Sequence, residues 1–408
     1  MKPKIKQHQH PKNRLHRPKN RRLQKNLPLL LLTPYSLLLT PYSLLLTPYS
    51  LLLTPISLAF FLLQKSSMYF KTILLFYFLF FTGCGESLST FHENQNHQPA
   101  QTEQTETSLK NPLILVAIDV DQGDATLIIT PDDQTILIDT GKYGMGKTNI
   151  LDVFQKLGVH HLNYLFITHY DADHMGATSE IVAGPDGVLG TQDDFTPDHV
   201  LDRGPFNAPD EPAYHYYEEA VGSLRTTVQP GDNFVFGNLK LTCVIANGAT
   251  LETNSPLLDK NDENGRSLGL VLEFGSFRYF TGGDLPGGGA SGNTLTRDME
   301  SLVAPFIGEV DMLHVNHHGS STSSNLFFLE TLNPNVSLVS VGENNVYGHP
   351  TAATLDHLHS IQTKIFLTHK GSGGFLPEAH IADGSIFVLV GENGSYEVNG
   401  FKFDSKND

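Results

Sequence analysis

All 43 Asp/Glu of this 408-residue chain follow residue 84, whereas 12 of its 27 Lys/Arg precede it. The stretch from residue 85 onward thus carries 43 acids against 15 basic side chains, a net charge of −28, which repels long nucleic acid and anionic membrane unless bound metal or a basic patch offsets it. Only two cysteines occur, Cys84 and Cys243, so a disulfide framework is excluded for a single chain, and Cys243, inside the apolar run Leu239 to Ile245, reads as core filler rather than nucleophile.

Residues 1–28 hold ten Lys/Arg and no acid. A leucine-rich unit, Leu30-Leu-Leu-Thr-Pro-Tyr-Ser36, then repeats from Leu37, Leu44 and Leu51. Its period of seven is that of a zipper, but each unit carries a proline (Pro34, Pro41, Pro48, Pro55), and each would cost about 3 kcal/mol inside a helix. A second start lies at Met68: Lys71, an apolar run from Thr72 to Phe81, and Thr82-Gly83-Cys84 have the form of a secretory signal. Its end resembles a bacterial lipobox, with Phe81 where that motif prefers Leu, which implies cleavage before a lipid-bearing Cys84 and an upstream extension at 1–67. The competing reading is a transmembrane anchor within 29–83, interrupted by its prolines and by Gln64-Lys65. Residues 85–111, rich in Gln, Glu, Thr, Ser and Asn, read as a flexible tether.

Folding is expected from Pro112 to about residue 400, with 401–408 as a tail. The pattern predicts strands at 113–120, 125–130 and 135–139, a helix at 147–157 and a strand at 163–167. Later apolar runs at 233–236, 239–245, 268–274, 277–281, 311–315, 335–341, 364–368 and 385–390 read as strands, with helices at 293–303, 324–332 and 351–361. Two groups of strands, each with helices, predict an α/β sandwich of two sheets with helices on both outer faces.

After the fourth strand comes His169-Tyr-Asp171-Ala-Asp173-His174, four metal-competent side chains within six residues. Positions two apart in an extended segment point the same way, so His169 and Asp171 are placed to grip one metal while Asp173 and His174 turn toward a second. Two close divalent ions sharing a water generate hydroxide near neutral pH, so the stretch predicts a two-metal hydrolase. Three more strand-end loops add Asp284 in Thr281-Gly-Gly-Asp284, His317 and His318 in His317-His-Gly-Ser320, and His349 in Gly348-His-Pro350. An insertion, Gly184-Pro-Asp186 to Asp193-Asp194, has Asp/Gly spacing suited either to calcium or to a glycine-rich surface turn, without the full spacing of an EF-hand.

These residues resemble the metallo-β-lactamase superfamily, and within it the hydrolase domains of ComEC-type competence proteins, over about 112–400. Asp119-Val-Asp-Gln-Gly-Asp-Ala125 is similar to that family's first turn, with Asp121 where Gly is usual, and Thr135-Ile-Leu-Ile-Asp139-Thr-Gly141 to its next strand. His169 to Gly176 is similar to the ComEC-type His-x-Asp-x-Asp-His-x-Gly, with Asp171 where the classical motif has histidine. Thr281 to Asp284 has one glycine more than the family's Thr-Gly-Asp. The membrane parts of ComEC have no counterpart here. The resemblance implies a four-layer αββα sandwich holding two divalent ions, zinc or manganese.

One departure bears on the ligands: where the classical superfamily places a further histidine, this chain has Asn261-Asp-Glu-Asn264-Gly-Arg-Ser267. The first metal is expected to take His169, Asp171, a share of Asp284 and His318; the second, Asp173, His174, Asp284 and His349. Asp124 and Asp139 are expected in supporting roles. Asp173 would orient a metal-bridging hydroxide, and His317, facing outward, would bind the scissile group or protonate the leaving oxygen. The functional expectation is an exported, membrane-tethered hydrolase, foremost a phosphodiesterase with a small or short substrate and no tight grip on long DNA. The alternatives are a lactonase or other carboxyl-ester hydrolase, and a non-catalytic metal-stabilised surface binding module.

Overall fold

The computed structural model describes Leu109 and residues 111–406 apart from 254–257, 260 and 292–293. The basic segment, the leucine repeat, the signal-like stretch with Cys84 and nearly all of the polar tether lie outside the described residues. Among the described residues no helix is long and apolar enough to cross a membrane.

Two mixed sheets form the centre. The first runs, in spatial order, Phe401–Phe403, Tyr396–Val398, Ile386–Val390, Leu113–Ala117, Thr126–Ile129, Thr135–Ile138, Tyr164–Ile167, His199–Asp202 and Arg225–Thr227. The second runs His380–Ile381, Lys364–Leu367, Val336–Val339, Met312–His314, Phe277–Thr281, Gly269–Phe274, Leu239–Ala246 and Asn233–Phe236. In each sheet one half is antiparallel, built from hairpins. The other half is parallel, from Thr135–Ile138 to Arg225–Thr227 in the first sheet and from Phe277–Thr281 to His380–Ile381 in the second. Parallel neighbours end on the same edge, and the carboxyl ends of such strands are where open α/β sheets hold ligands. The loops after Ile167, Thr281, His314 and Val339, which carry the metal-competent residues, all leave from such ends.

Period-two burial explains the layering. Leu113, Leu115 and Ala117 face Leu239, Leu241, Cys243, Leu270 and Leu272 of the other sheet in one apolar layer. Val116, Leu127, Leu137 and Leu165 point the opposite way, against Phe154 of helix Leu151–Leu157, Ile181 of Thr178–Val182 and Tyr214 and Tyr217 of Pro212–Val221. Val271, Phe280 and Leu313 of the second sheet likewise meet Val303, Phe328 and Leu358 on helices Glu300–Ile307, Leu326–Leu332 and Ala352–Ser360. Three apolar layers separate four structural layers, the αββα sandwich the sequence predicts. Cys243 is a free, buried thiol whose pKa burial pushes up, in keeping with core filler.

Several expectations need correction. The segment expected to begin a helix at 293 instead contributes Thr294–Leu295 to a hairpin with Ala290–Ser291, and the helix starts at Glu300, where Asp298 Oδ1 accepts the Ser301 N–H at 2.9 Å. Residues 401–408, read as a tail, supply the edge strand Phe401–Phe403. The short strands His199–Asp202, Arg225–Thr227 and Tyr396–Val398 and the helices Thr178–Val182 and Pro212–Val221 were not legible, being too short or too polar to show a period.

Candidate metal centre

The His169 segment is anchored before it reaches the site. Thr168, at the end of Tyr164–Ile167, donates its N–H to Asp139 Oδ1 at 2.7 Å and its hydroxyl to Asp139 Oδ2 at 2.6 Å. The chain then turns through Ala172–Met175, which brings His174 Nδ1 back to Asp139 Oδ2 at 2.8 Å. Asp139 thus supports the site from behind, as expected. The extra glycine before Asp284 also has a physical reason: Gly283 sits at φ +54°, and a Cβ there would fall 2.6 Å from Thr168 Oγ1. On the second sheet, His317 and His318 both adopt left-handed backbone, at φ 52° and 54°, in the turn Asn316–Gly319. That conformation is uncommon for residues other than glycine, and here it turns both imidazoles toward Asp284.

Asp284 is the centre of the arrangement, and its two oxygens divide the donors. Oδ1 lies 3.1 Å from His174 Nε2 and 3.7 Å from His318 Nε2. Oδ2 lies 3.4 Å from His317 Nε2 and 3.8 Å from His169 Nε2. Asp173 Oδ2 joins the first set, 3.5 Å from His318 Nε2; Asp171 Oδ2 joins the second, 3.5 Å from His169 Nε2. Three overlapping groups of metal-competent residues result: His169, His174 and Asp284; Asp173, His174 and His318; and Asp124, Asp284 and His318.

A pair of divalent cations fits this donor set. His169 Nε2, His174 Nε2, His318 Nε2, Asp284 Oδ1 and Asp124 Oδ1 are all buried with no hydrogen-bond partner. An orphaned buried polar atom costs about 1–3 kcal/mol, so five around Asp284 call for a ligand that accepts their lone pairs. The mixture of imidazole and carboxylate suits zinc, manganese or iron.

The electrostatics without metal point the same way. Burial opposes ionisation of Asp284, but the facing His317, His174 and His318 outweigh it and hold its carboxyl well below the usual range. Burial opposes ionisation of Asp173 as well, but the adjacent His318 and His174 outweigh it and lower its carboxyl to about 2. Burial works against charge on His174 and His318 as well, yet Asp284 with Asp139, and Asp284 with Asp124, raise them well above the ordinary histidine value. His349 goes the other way, down to about 4, because burial and the neighbouring His317 and His318 disfavour its cation.

These groups open onto a cavity of about 280 Å³ lined by Asp171, Asp173, Asp284, His317, His318 and His349. A larger one of about 520 Å³, with Lys142, Glu343 and Asn344 on its wall, shares Gln122 and Tyr347 with it.

The structure brings the six residues His169, Asp171, Asp173, His174, Asp284 and His318 together. His318, expected beside His169, has Nδ1 3.1 Å from Ser340 O and Nε2 3.5 Å from Asp173 Oδ2 and 3.7 Å from Asp284 Oδ1. His317 does not face outward: Nε2 lies 3.4 Å from Asp284 Oδ2 and Nδ1 3.1 Å from Thr322 Oγ1. His349 is in none of the three donor groups and stands on the cavity wall, its Nδ1 3.5 Å from Gln122 Nε2. Asp124, expected to support a turn and placed two residues before the strand Thr126–Ile129, has Oδ1 3.5 Å from His318 Nδ1 and shares a metal-competent group with Asp284 and His318. In the 184–194 insertion the carboxylates of Asp186, Asp193 and Asp194 accept hydrogen bonds from Val188 N, Asp186 N and Gly190 N, and they join none of the three groups.

The family pattern of the Metallo-beta-lactamase superfamily matches residues 118–242. The chain is 27% identical over 263 residues to the competence protein ComA of Neisseria gonorrhoeae, covering 64% of this chain and 31% of that protein. It is also 27% identical over 264 residues to the ComE operon protein 3 of Bacillus subtilis, covering 60% and 30%. It therefore spans about a third of the length of the curated relatives it matches. Among solved structures, a putative metal-dependent hydrolase from Parabacteroides distasonis aligns at 14% identity and a TM-score of 0.37, covering 62% of this chain and 92% of that one. Residues 118–242 thus match the Metallo-beta-lactamase superfamily, and the chain is similar at moderate identity to competence proteins of the ComEC family.

Proposed function

We propose that the protein is a two-metal hydrolase acting on phosphodiesters. The observation that carries this reading is Asp284, whose two oxygens each face a separate set of histidines. His169, Asp171 and His317 would hold one ion with Asp284 Oδ2, and Asp173, His174 and His318 the other with Oδ1. Bound there, the ions would supply Lewis acidity and a nucleophile active at neutral pH. The chain's own part is to fix the donors, through Asp139 behind His174 and Ser340 O behind His318, and to shape the cavity. His349 and Gln122 stand on its wall, where a substrate oxygen would meet them. A tetrahedral, anionic phosphoryl group suits a site whose donors come from several directions. The net charge of −28 after residue 84 favours small or short substrates over long DNA. The basic, leucine-rich and signal-like segments before Cys84 support export with a membrane tether.

The test is hydrolysis of a chromogenic phosphodiester by the full chain in detergent, titrated with zinc and with manganese beside Asp284→Ala. Turnover that requires metal and disappears in the variant is expected. Metal uptake without turnover on the phosphodiester, but with turnover on a lactone, would transfer the reading to carboxyl esters. Uptake with no turnover on either would leave a binding module.

A further inference from the structure

The stretch where the resemblance expects another histidine does not donate to the metal-competent groups, yet it touches three of the loops that do. Glu263 Oε1 accepts the N–H of Tyr170, the residue between His169 and Asp171, at 2.8 Å. The same carboxylate is gripped by Arg203, Nε to Oε1 at 2.7 Å and Nη2 to Oε2 at 2.7 Å. Arg203 is fully buried, its guanidinium 4.0 Å above the Tyr170 ring, with Nη1 donating to Phe206 O at 2.9 Å. Next in the chain, Asn264 Nδ2 lies against the His317 ring, 3.3 Å from Nδ1 and 3.5 Å from Nε2. Ser267 Oγ then accepts the Asp284 N–H at 3.2 Å, and Leu268 N donates to Thr168 O at 2.9 Å.

A desolvated arginine paired in two parallel bonds is a rigid mount, because the planar fork leaves the carboxylate one orientation. Glu263, so held, fixes the peptide joining His169 to Asp171. Asn264 fixes the face that His317 presents. Both contacts fall on the Asp284 Oδ2 side; neither reaches Asp173, His174 or His318. We infer that Glu263 and Asn264 are positioning residues for that one set: where the classical fold spends a ligand, this chain has a bracket that orients His169, Asp171 and His317. Groups that orient a ligand from behind typically contribute 10–100-fold to metal affinity.

This inference rests on the two-set reading of Asp284, and its test separates the two. Metal-free full chain is titrated with cobalt(II), whose visible absorption reports each site. Wild type is expected to take up two equivalents in two steps, with His317→Ala removing one step and His318→Ala the other. Asn264→Ala and Glu263→Gln should weaken by about tenfold or more the step that His317→Ala removes and leave the other in place. Should the loss of charge beside buried Arg203 stop Glu263→Gln from folding, Asn264→Ala decides alone, because it leaves the Arg203 pair intact. Equal weakening of both steps, or of neither, overturns the bracket while leaving the two sets standing. Uptake of a single equivalent by wild type overturns both.

Discussion

Asp139 holds the Nδ1 edge of His174 at 2.8 Å, and the opposite edge of the same ring, Nε2, faces Asp284 Oδ1 at 3.1 Å. A carboxylate on Nδ1 places the ring hydrogen there and leaves Nε2 as the donor, so one pair sets both the tautomer and the direction of a ligand. Asp139 also anchors Thr168 through two bonds and so orients the start of the His169 segment. Asp139→Asn should keep the shape but weaken metal binding by about 10–100-fold. Isothermal titration with zinc measures this, and unchanged affinity would remove Asp139 from the supporting role.

Gly123 offers a test by close approach. It sits at φ +147°, and a Cβ there would lie 2.4 Å from Asp173 O, beside the bond in which Asp124 N donates to that same oxygen at 3.2 Å. Gly123→Ala must displace the Asp173 backbone, so the variant should lose metal on the His174 and His318 side, with destabilisation of about 1–3 kcal/mol. Denaturant unfolding together with metal stoichiometry decides it; a variant with wild-type stability and stoichiometry would contradict the geometry.

His349 separates wall from ligand. As a cavity-wall residue outside the donor groups, His349→Ala should still take up two metal ions while losing roughly 10²-fold in kcat/KM. Loss of one equivalent of metal would return His349 to the ligand set.

Glu300 gives a pH signature independent of the metal. Fully buried, it accepts hydrogen bonds from Asn316 Nδ2 at 2.8 Å, Ser324 N at 2.7 Å and Asn325 N at 2.9 Å, and so ties the turn bearing His317 and His318 to the helix Glu300–Ile307. Burial pushes its carboxyl up to about 7, against the pull of those donors. Between its ordinary value of 4.5 and about 7 the folded protein keeps a proton the unfolded chain has released, so stability falls as pH rises through that window and is level above it. The wild type should lose up to about 3 kcal/mol relative to Glu300→Gln between pH 4.5 and 7, read by denaturant unfolding of metal-free protein. Parallel pH profiles for the two proteins would refute it.

The αββα architecture was legible because long buried strands write their period into the chain: Leu113, Leu115 and Ala117 on one face, Ile114 and Val116 on the other. The hairpin Ala290–Ser291 with Thr294–Leu295 and the edge strand Phe401–Phe403 were not, because two- and three-residue strands are specified by the partner they pair with rather than by a pattern of their own.

At the site, local sequence determined chemistry and tertiary structure determined allegiance. His169, Asp171, Asp173 and His174 announced themselves by lying within six residues at a strand end, and Asp284, His317 and His318 by following strands of the same kind. Which histidine serves which oxygen of Asp284 is not written in any segment. It depends on the left-handed turn at His317 and His318, on Ser340 O behind one ring, and on Thr322 behind the other with Asn264 against its face. Donors 100 or more residues apart meet only when two sheets pack, and a ring's direction is then set by whatever sits behind it. Asp124 beside His318, His349 on the wall and the Arg203–Glu263 mount were decided at that level alone.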